Sequence, residues 1–189
     1  MKLNPDTGQI LQSVYDFAER AHEGQYRKYT PEPYIVHPKR VMETCRQYGA
    51  TLPMLAAALL HDVIEDTEVG ESQLLEFLDS VMTADDARKT LSLVIGLTDV
   101  YTKSDYPKLN RRARKDNELV RIAQTSPEAQ TVKYADILDN AREIGAHDRS
   151  FAPRFLRECS AMLRRADNGN RDLYKLAVKT VHSKLKALA

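Results

Sequence analysis

Apolar residues recur along this chain at spacings of three and four rather than two, which predicts helices throughout. Ile10, Val14, Phe17, Ala18 and Ala21 make the first stripe, and a polar, aromatic and Pro-rich loop follows from Gly24 to Val36. Val41 and Cys45 mark a second helix ended by Gly49, and Pro53 opens a third. A fourth runs through Leu74, Leu75 and Leu78. The fifth starts at Thr83 as N-cap and continues through Ala87, Leu91, Val94 and Ile95. Residues 98–110 lack a sustained period and read as an exposed loop. A helix opening on the basic block NRRARKDN then ends near Thr125, and Ser126–Pro127 cap and start a helix through Val132, Ala135 and Leu138. Two more helices follow, one through Phe155, Leu156, Cys159, Met162 and Leu163, the other through Leu173, Ala177, Val181, Lys184 and Leu188, with a turn at Asp167 to Asn170.

Composition supports an all-α fold: Gly and Pro together are 15 of 189 residues, against a usual ~12%. The length suits one domain, 1–189. Hydrophobic residues are 42%, charged residues 29% and the formal net charge is +1, which excludes wholesale disorder and a generally basic nucleic-acid binder. Any anion recognition must therefore be local. The N-terminal MKLNPDTGQI has no apolar leader core, and the longest apolar run, Met54 to Leu60, is far short of the ~20 residues a membrane span needs. A soluble, cytoplasmic protein is expected, with no DNA, RNA or membrane partner; the oligomeric state stays open, a homodimer included. Cys45 and Cys159 form no CxxC pair and read as reduced core residues.

The chemistry concentrates in AAALLHDVIEDTE, residues 56–68, where His61, Asp62, Glu65 and Asp66 follow a run that reads as core. On one helix His61 would lie over Glu65 and Asp62 over Asp66. Burying three carboxylates together disfavours their ionisation unless a cation neutralises them, and a divalent metal does so. A mixed nitrogen and oxygen donor set suits manganese, iron or zinc better than calcium. A single His-Asp pair is common by chance. His147-Asp148 is another, in an apparent loop with no chemistry assigned, and His22-Glu23 does not continue as HExxH because position 26 is tyrosine. The first pair has company: His37 in PYIVHP, and Asp136 in the apolar stripe of TVKYADILDN with Asn140 four residues on. Four donors of metal-compatible type thus come from three segments.

AHEGQYRKYTPEPYIVHP, LLHDVIEDT and VKYADILDN, in that order, resemble the main motifs of HD-domain hydrolases of the RelA/SpoT type, specifically the single-domain small alarmone hydrolases. The resemblance covers nearly the whole chain and implies an all-α HD fold. It implies a metal, normally Mn2+, held by His37, His61, Asp62 and Asp136, with Glu65 and Asp66 serving the attacking water. The implied reaction removes the 3′-diphosphate of guanosine tetra- or pentaphosphate, giving GDP or GTP and pyrophosphate, without synthesis of the alarmone. Arg27 and Lys28 match residues contacting the base or nearby phosphate. Arg111, Arg114 and Lys115 match NRxxRK and would clamp phosphate oxygens, with Arg112 beside them, and Asn140 matches a residue bonding the ribose and its 3′ substituent.

Two departures bear on specificity. Where YLxE is usual, this chain has Phe155-Leu156-Arg157-Glu158, which lacks the phenol donor. Thr30-Pro31-Glu32-Pro33 also lacks the glycine usual before PYI. An HD phosphohydrolase acting on another nucleotide, such as an adenosine alarmone or NADPH, is the alternative, and a non-catalytic alarmone-binding protein is a third.

Overall fold

A computed structural model of the protein describes residues 5–188. The first four residues of the MKLNPDTGQI segment lie outside them. The chain forms two compact units, Met1–Thr98 and Asp99–Ala189. As the three- and four-residue spacing predicts, the fold is all-α, and no β-strand occurs among the described residues. No helix among them is long and apolar enough to cross a membrane.

In the first unit, α1 (Pro5–Ala21), α2 (Val36–Gln47), α3 (Leu52–Leu60), α4 (Val63–Asp66), α5 (Glu71–Val81) and α6 (Ala84–Leu97) succeed one another. The sequence of α3, LPMLAAALL, has no polar face, and a helix apolar all round must be buried all round. Accordingly α1, α2 and α6 pack on it, and Pro53 to Leu60 are all buried. The AAALLHDVIEDTE stretch is not one helix. α3 stops at Leu60, His61 and Asp62 form a turn, and α4 adds a single turn of helix. A physical reason lies at the end of α3: the His61 ring bonds the Ala58 carbonyl at 2.9 Å, satisfying an acceptor that the helix terminus leaves open. α2 ends as expected at Gly49, whose φ of +76° suits a residue without Cβ.

Thr83 caps α6, its hydroxyl accepting from the Asp86 N–H. Of the expected stripe Ala87 and Val94 face inward, but they are joined by Thr90, Leu93 and Leu97 and not by Ile95, which is 38% exposed. Apolar residues occur on both sides of this helix, so spacing alone does not select the face.

The second unit contains α7 (Arg111–Ala123), α8 (Pro127–His147), α9 (Ala152–Arg165) and α10 (Arg171–Ala187). Side chains of Asn110 and Ser126 cap α7 and α8. α8 is the centre of this unit, packed by α9 and α10 and buried along most of its length. It continues through His147, so that histidine is helical rather than in a loop, and Asp148 turns the chain by accepting from the Phe151 N–H. The α9–α10 turn needs its glycine: a Cβ on Gly169 would lie 2.6 Å from the Tyr134 ring and 2.9 Å from the Thr131 nitrogen.

Candidate metal centre

The turn after α3 places adjacent side chains of His61 and Asp62 together, where a continuous helix would separate them by about 100°. His61 Nε2 stands 3.0 Å from Asp62 Oδ2. His37, in the first turn of α2, brings its Nε2 to 3.9 Å from the same oxygen. Donor atoms of His37, His61 and Asp62 all lie within 4.8 Å of one another, with both imidazoles buried. The first unit therefore brings these three predicted donors together. Asp136 belongs to the second unit, on α8, where Lys133 meets its Oδ2 at 2.9 Å and Asn140 donates to its Oδ1 at 2.6 Å.

Whether a cation fits follows from the protons. A carbonyl oxygen only accepts, so the Ala58 bond assigns a proton to His61 Nδ1 and, in the neutral ring, a lone pair to Nε2. That lone pair faces a carboxylate oxygen at 3.0 Å. Two electron-rich atoms at this distance need a positive centre between them, either a proton on Nε2 or a bound cation. Ligand bonds of about 2.0–2.2 Å to one ion bring neighbouring donors to roughly 3 Å, which the His61–Asp62 spacing matches. The second nitrogen being held by a backbone carbonyl is also how metal-binding imidazoles are usually oriented.

Tyr34, three residues before His37, is not among the predicted site residues and is central here. Its hydroxyl donates to Asp62 Oδ2 at 2.6 Å and lies 3.3 Å from Asp66 Oδ2. A phenol one helical turn before a predicted imidazole ligand is the signal that could have found it. His22 is buried and tilts against the Tyr34 ring, with centroids 4.6 Å apart. Its Nδ1 meets Gln25 Oε1 at 2.9 Å, and Gln25 Nε2 donates to the Asp66 carbonyl at 2.7 Å. These bonds tie the end of α1 to α4. Burial pushes the Asp66 carboxyl above its usual range and the Asp62 charge pushes it further, while the Tyr34 hydroxyl, His22 and His61 pull it partly back. A carboxylate moved in that direction is a better proton acceptor near neutrality. Both Glu65 and Asp66 remain open to solvent, so the desolvation of Asp66 is partial.

The loop between α1 and α2 closes on itself through Arg27 N–H to the Glu32 carbonyl at 2.9 Å and Tyr34 N–H to the Gln25 carbonyl at 3.0 Å. It holds the Arg27 guanidinium 5.9 Å from the Tyr34 ring centre and the exposed Lys28 ammonium 4.8 Å from that of Tyr29.

In the second unit a cavity of about 650 Å3 gathers Arg111, Lys115, Asp136 and Asn140 among its lining. Arg114, expected with them, is not part of that lining; its guanidinium turns back to the Leu109 carbonyl at 2.6 Å. Arg111 makes a two-pronged pair with Glu158 at 2.9 and 2.7 Å, and Lys115 meets Asp99 at 2.7 Å. Burial works to raise the Asp99 carboxyl, but Lys133, Lys115 and Arg121 outweigh it and hold the group below the usual carboxylate range.

An HD domain matches residues 14–162. A GTP pyrophosphokinase of Streptomyces coelicolor is 33% identical over 143 residues, 75% of this chain and 15% of that protein. A guanosine-3′,5′-bis(diphosphate) 3′-pyrophosphohydrolase of Vibrio cholerae is 35% identical over 144 residues, 73% of this chain and 18% of that one. The chain thus spans less than a fifth of the length of these relatives. A solved structure of a metazoan ortholog of SpoT, described as hydrolyzing ppGpp and playing a role in starvation responses, superposes with a TM-score of 0.75 at 23% identity, covering 100% of this chain and 99% of that one. That likeness is one of fold.

Proposed function

The chain belongs to the HD-domain family, whose fold binds a divalent metal, and from that premise we propose that it is a Mn2+-dependent hydrolase removing the 3′-diphosphate of ppGpp and pppGpp. The products would be pyrophosphate with GDP or GTP. The observation that carries the reading is the convergence of His37, His61 and Asp62 on a common point beside Asp66 and Tyr34. Relatives named for this hydrolysis support the choice of substrate.

A divalent cation bound at this centre would supply a water of lowered pKa and offset charge on the phosphoryl oxygens. His37, His61 and Asp62 would hold it, and Asp136 matches a ligand position of the motif. The water oxygen bonds the phosphorus attached to ribose O3′ and the O3′–P bond breaks. The water proton passes to the Glu65 or Asp66 carboxylate, and the carboxyl group so formed, or solvent, returns a proton to O3′ as it leaves. Tyr34 keeps the Asp62 carboxylate oriented through its 2.6 Å bond. Arg27, Lys28, Arg111, Arg114, Lys115 and Asn140 serve the nucleotide by motif. Arg111 and Lys115 start from carboxylate partners, so the substrate must share or displace Glu158 and Asp99.

A second reading, hydrolysis of another nucleotide, is favoured by Phe155 lining the cavity where a tyrosine is usual. The test is incubation of Mn2+-loaded protein with ppGpp, pppGpp, pppApp and NADPH, with chromatographic identification of products. Pyrophosphate with GDP from ppGpp is expected. Inorganic phosphate from NADPH with ppGpp left intact would replace the first reading with the second.

A further inference from the structure

The second unit's cavity is lined by six cationic side chains: Arg111, Arg112, Lys115, Lys133, Arg154 and Arg157. Four of them have carboxylate partners. Glu158 holds Arg111, Asp99 holds Lys115, Asp136 holds Lys133, and Asp116 lies 3.8 Å from Arg112. Arg154 and Arg157 differ: neither makes an ion pair among the described residues, and both are exposed. They stand one turn apart on α9, so their Cβ atoms are about 5–6 Å apart. Two like charges at that spacing are mutually unfavourable unless an anion lies between them. The same lining includes apolar Leu119, Ile137, Phe155 and Met162, all less exposed than the two arginines. Apolar lining together with exposed arginines fits a nucleoside carrying a phosphate group.

We propose that Arg154 and Arg157 form a phosphate-binding rim of this cavity and take the 5′-diphosphate of the nucleotide, the one that is not cleaved. The choice of nucleotide rests on the proposed function; the phosphate rim does not. Preorganisation separates the two kinds of cation. Lys115, Lys133 and Arg111 are fixed by carboxylates, which suits them to a reacting group whose charge changes. Arg154 and Arg157 sit on long exposed side chains without such support, which suits ground-state binding and therefore KM rather than kcat. Their forked guanidiniums can each give a diphosphate two parallel bonds.

The experiment is calorimetric titration of the full, chelator-treated protein with GDP, with inorganic pyrophosphate and with guanosine, comparing wild type, the Arg154→Gln/Arg157→Gln double variant and an Arg171→Gln/Lys179→Gln control that removes two charges outside the cavity. Circular dichroism confirms folding of each. The rim predicts that wild type binds GDP more tightly than guanosine. The double variant should lose roughly tenfold or more in GDP affinity, as expected for charge-assisted bonds, with guanosine unchanged and the control like wild type. With Mn2+ and ppGpp, the double variant should raise KM and keep kcat, and with guanosine 3′-diphosphate it should match wild type. Equal GDP affinity in wild type and double variant, or no preference for GDP over guanosine, would overturn the rim, as would a kcat loss at constant KM. Weakened GDP binding in a protein that does not hydrolyse ppGpp would remove the proposed function and leave the rim standing.

Discussion

Replacing Glu118 by glutamine takes one charge from a side chain that is 1% exposed and fastens the start of the 98–110 loop to α7. Oε1 accepts from the Val100 and Tyr101 N–H groups, both at 2.7 Å, and Oε2 accepts from Arg121 Nε at 2.7 Å. Glutamine keeps a neutral acceptor for the two backbone groups, so each bond falls from the ~1.5–3 kcal/mol typical of a charged partner to ~0.5–1.5, a loss of roughly 2 kcal/mol for the pair. The amide nitrogen then opposes the Arg121 N–H, and the ion pair is gone. Breaking a buried pair costs about 3–5 kcal/mol, but Arg121 retains 20% exposure, so roughly 1 kcal/mol is assigned to this step. The sum, about 3 kcal/mol, corresponds to a fall in Tm of roughly 6–12 °C at this chain length. Calorimetry measures the fall, and amide exchange should show Val100 and Tyr101 losing protection ahead of α7. Because Asp99 adjoins those residues and holds Lys115, the KM for nucleotide should rise as well. A Tm within about 2 °C of wild type together with unchanged exchange at Val100 and Tyr101 would refute the clamp.

Tyr34→Phe removes the donor to Asp62 and should weaken Mn2+ binding about 10–100-fold, the usual effect of losing a group that orients a ligand; chelator competition reads it, and an unchanged affinity would contradict the assigned role. Asp99 has a depressed folded carboxyl, so its stabilisation is present above the unfolded value near 3.8 and is lost as pH falls through the lower folded value. Denaturation curves should therefore show Asp99→Asn less stable than wild type at neutral pH, with the difference closing in acid below pH 3.8; a constant difference would argue against the pairing. Burial pushes both Cys45 and Cys159 thiols up to about 12, so a thiolate-selective reagent at pH 8 should leave the native protein unlabelled and modify both cysteines in denaturant. Rapid labelling of the folded protein would show that these thiols are reachable.

Helix positions and caps were legible because they depend on local chemistry: Thr83 and Ser126 each offer a hydroxyl to an N–H three residues on. The interruption after Leu60 was not, since HDVIED keeps helical spacing; what stops α3 is the His61 side chain competing for its backbone. At that break His61 and Asp62 stand side by side, 3.0 Å apart, in the candidate metal cluster. In α6, Ala87 and Val94 are buried as the stripe predicts, but Leu91 and Ile95 are not: they fit an apolar stripe as well as Thr90 and Leu93 do, and packing on α3 and α5 separates them. Glu118, Gln25 and Tyr34 escaped for a shared reason. Their partners lie 41 residues away for Gln25, 28 for Tyr34 and 18 for Glu118, and a polar side chain announces its acidity or its hydroxyl, not its distant partner. His22 carried a signal only for a zinc-protease motif that the next residues break.

The central claim is that His37, His61 and Asp62 bind the ion on which hydrolysis depends. Stepwise addition of Mn2+ to chelator-stripped protein, with free ion followed by electron paramagnetic resonance and ppGpp turnover measured in the same samples, tests it directly. Wild type should take up one ion per chain with turnover rising in proportion, and folded Asp62→Ala should do neither. Full turnover in the stripped protein, or an Asp62→Ala protein that binds the ion as wild type does, would contradict the account.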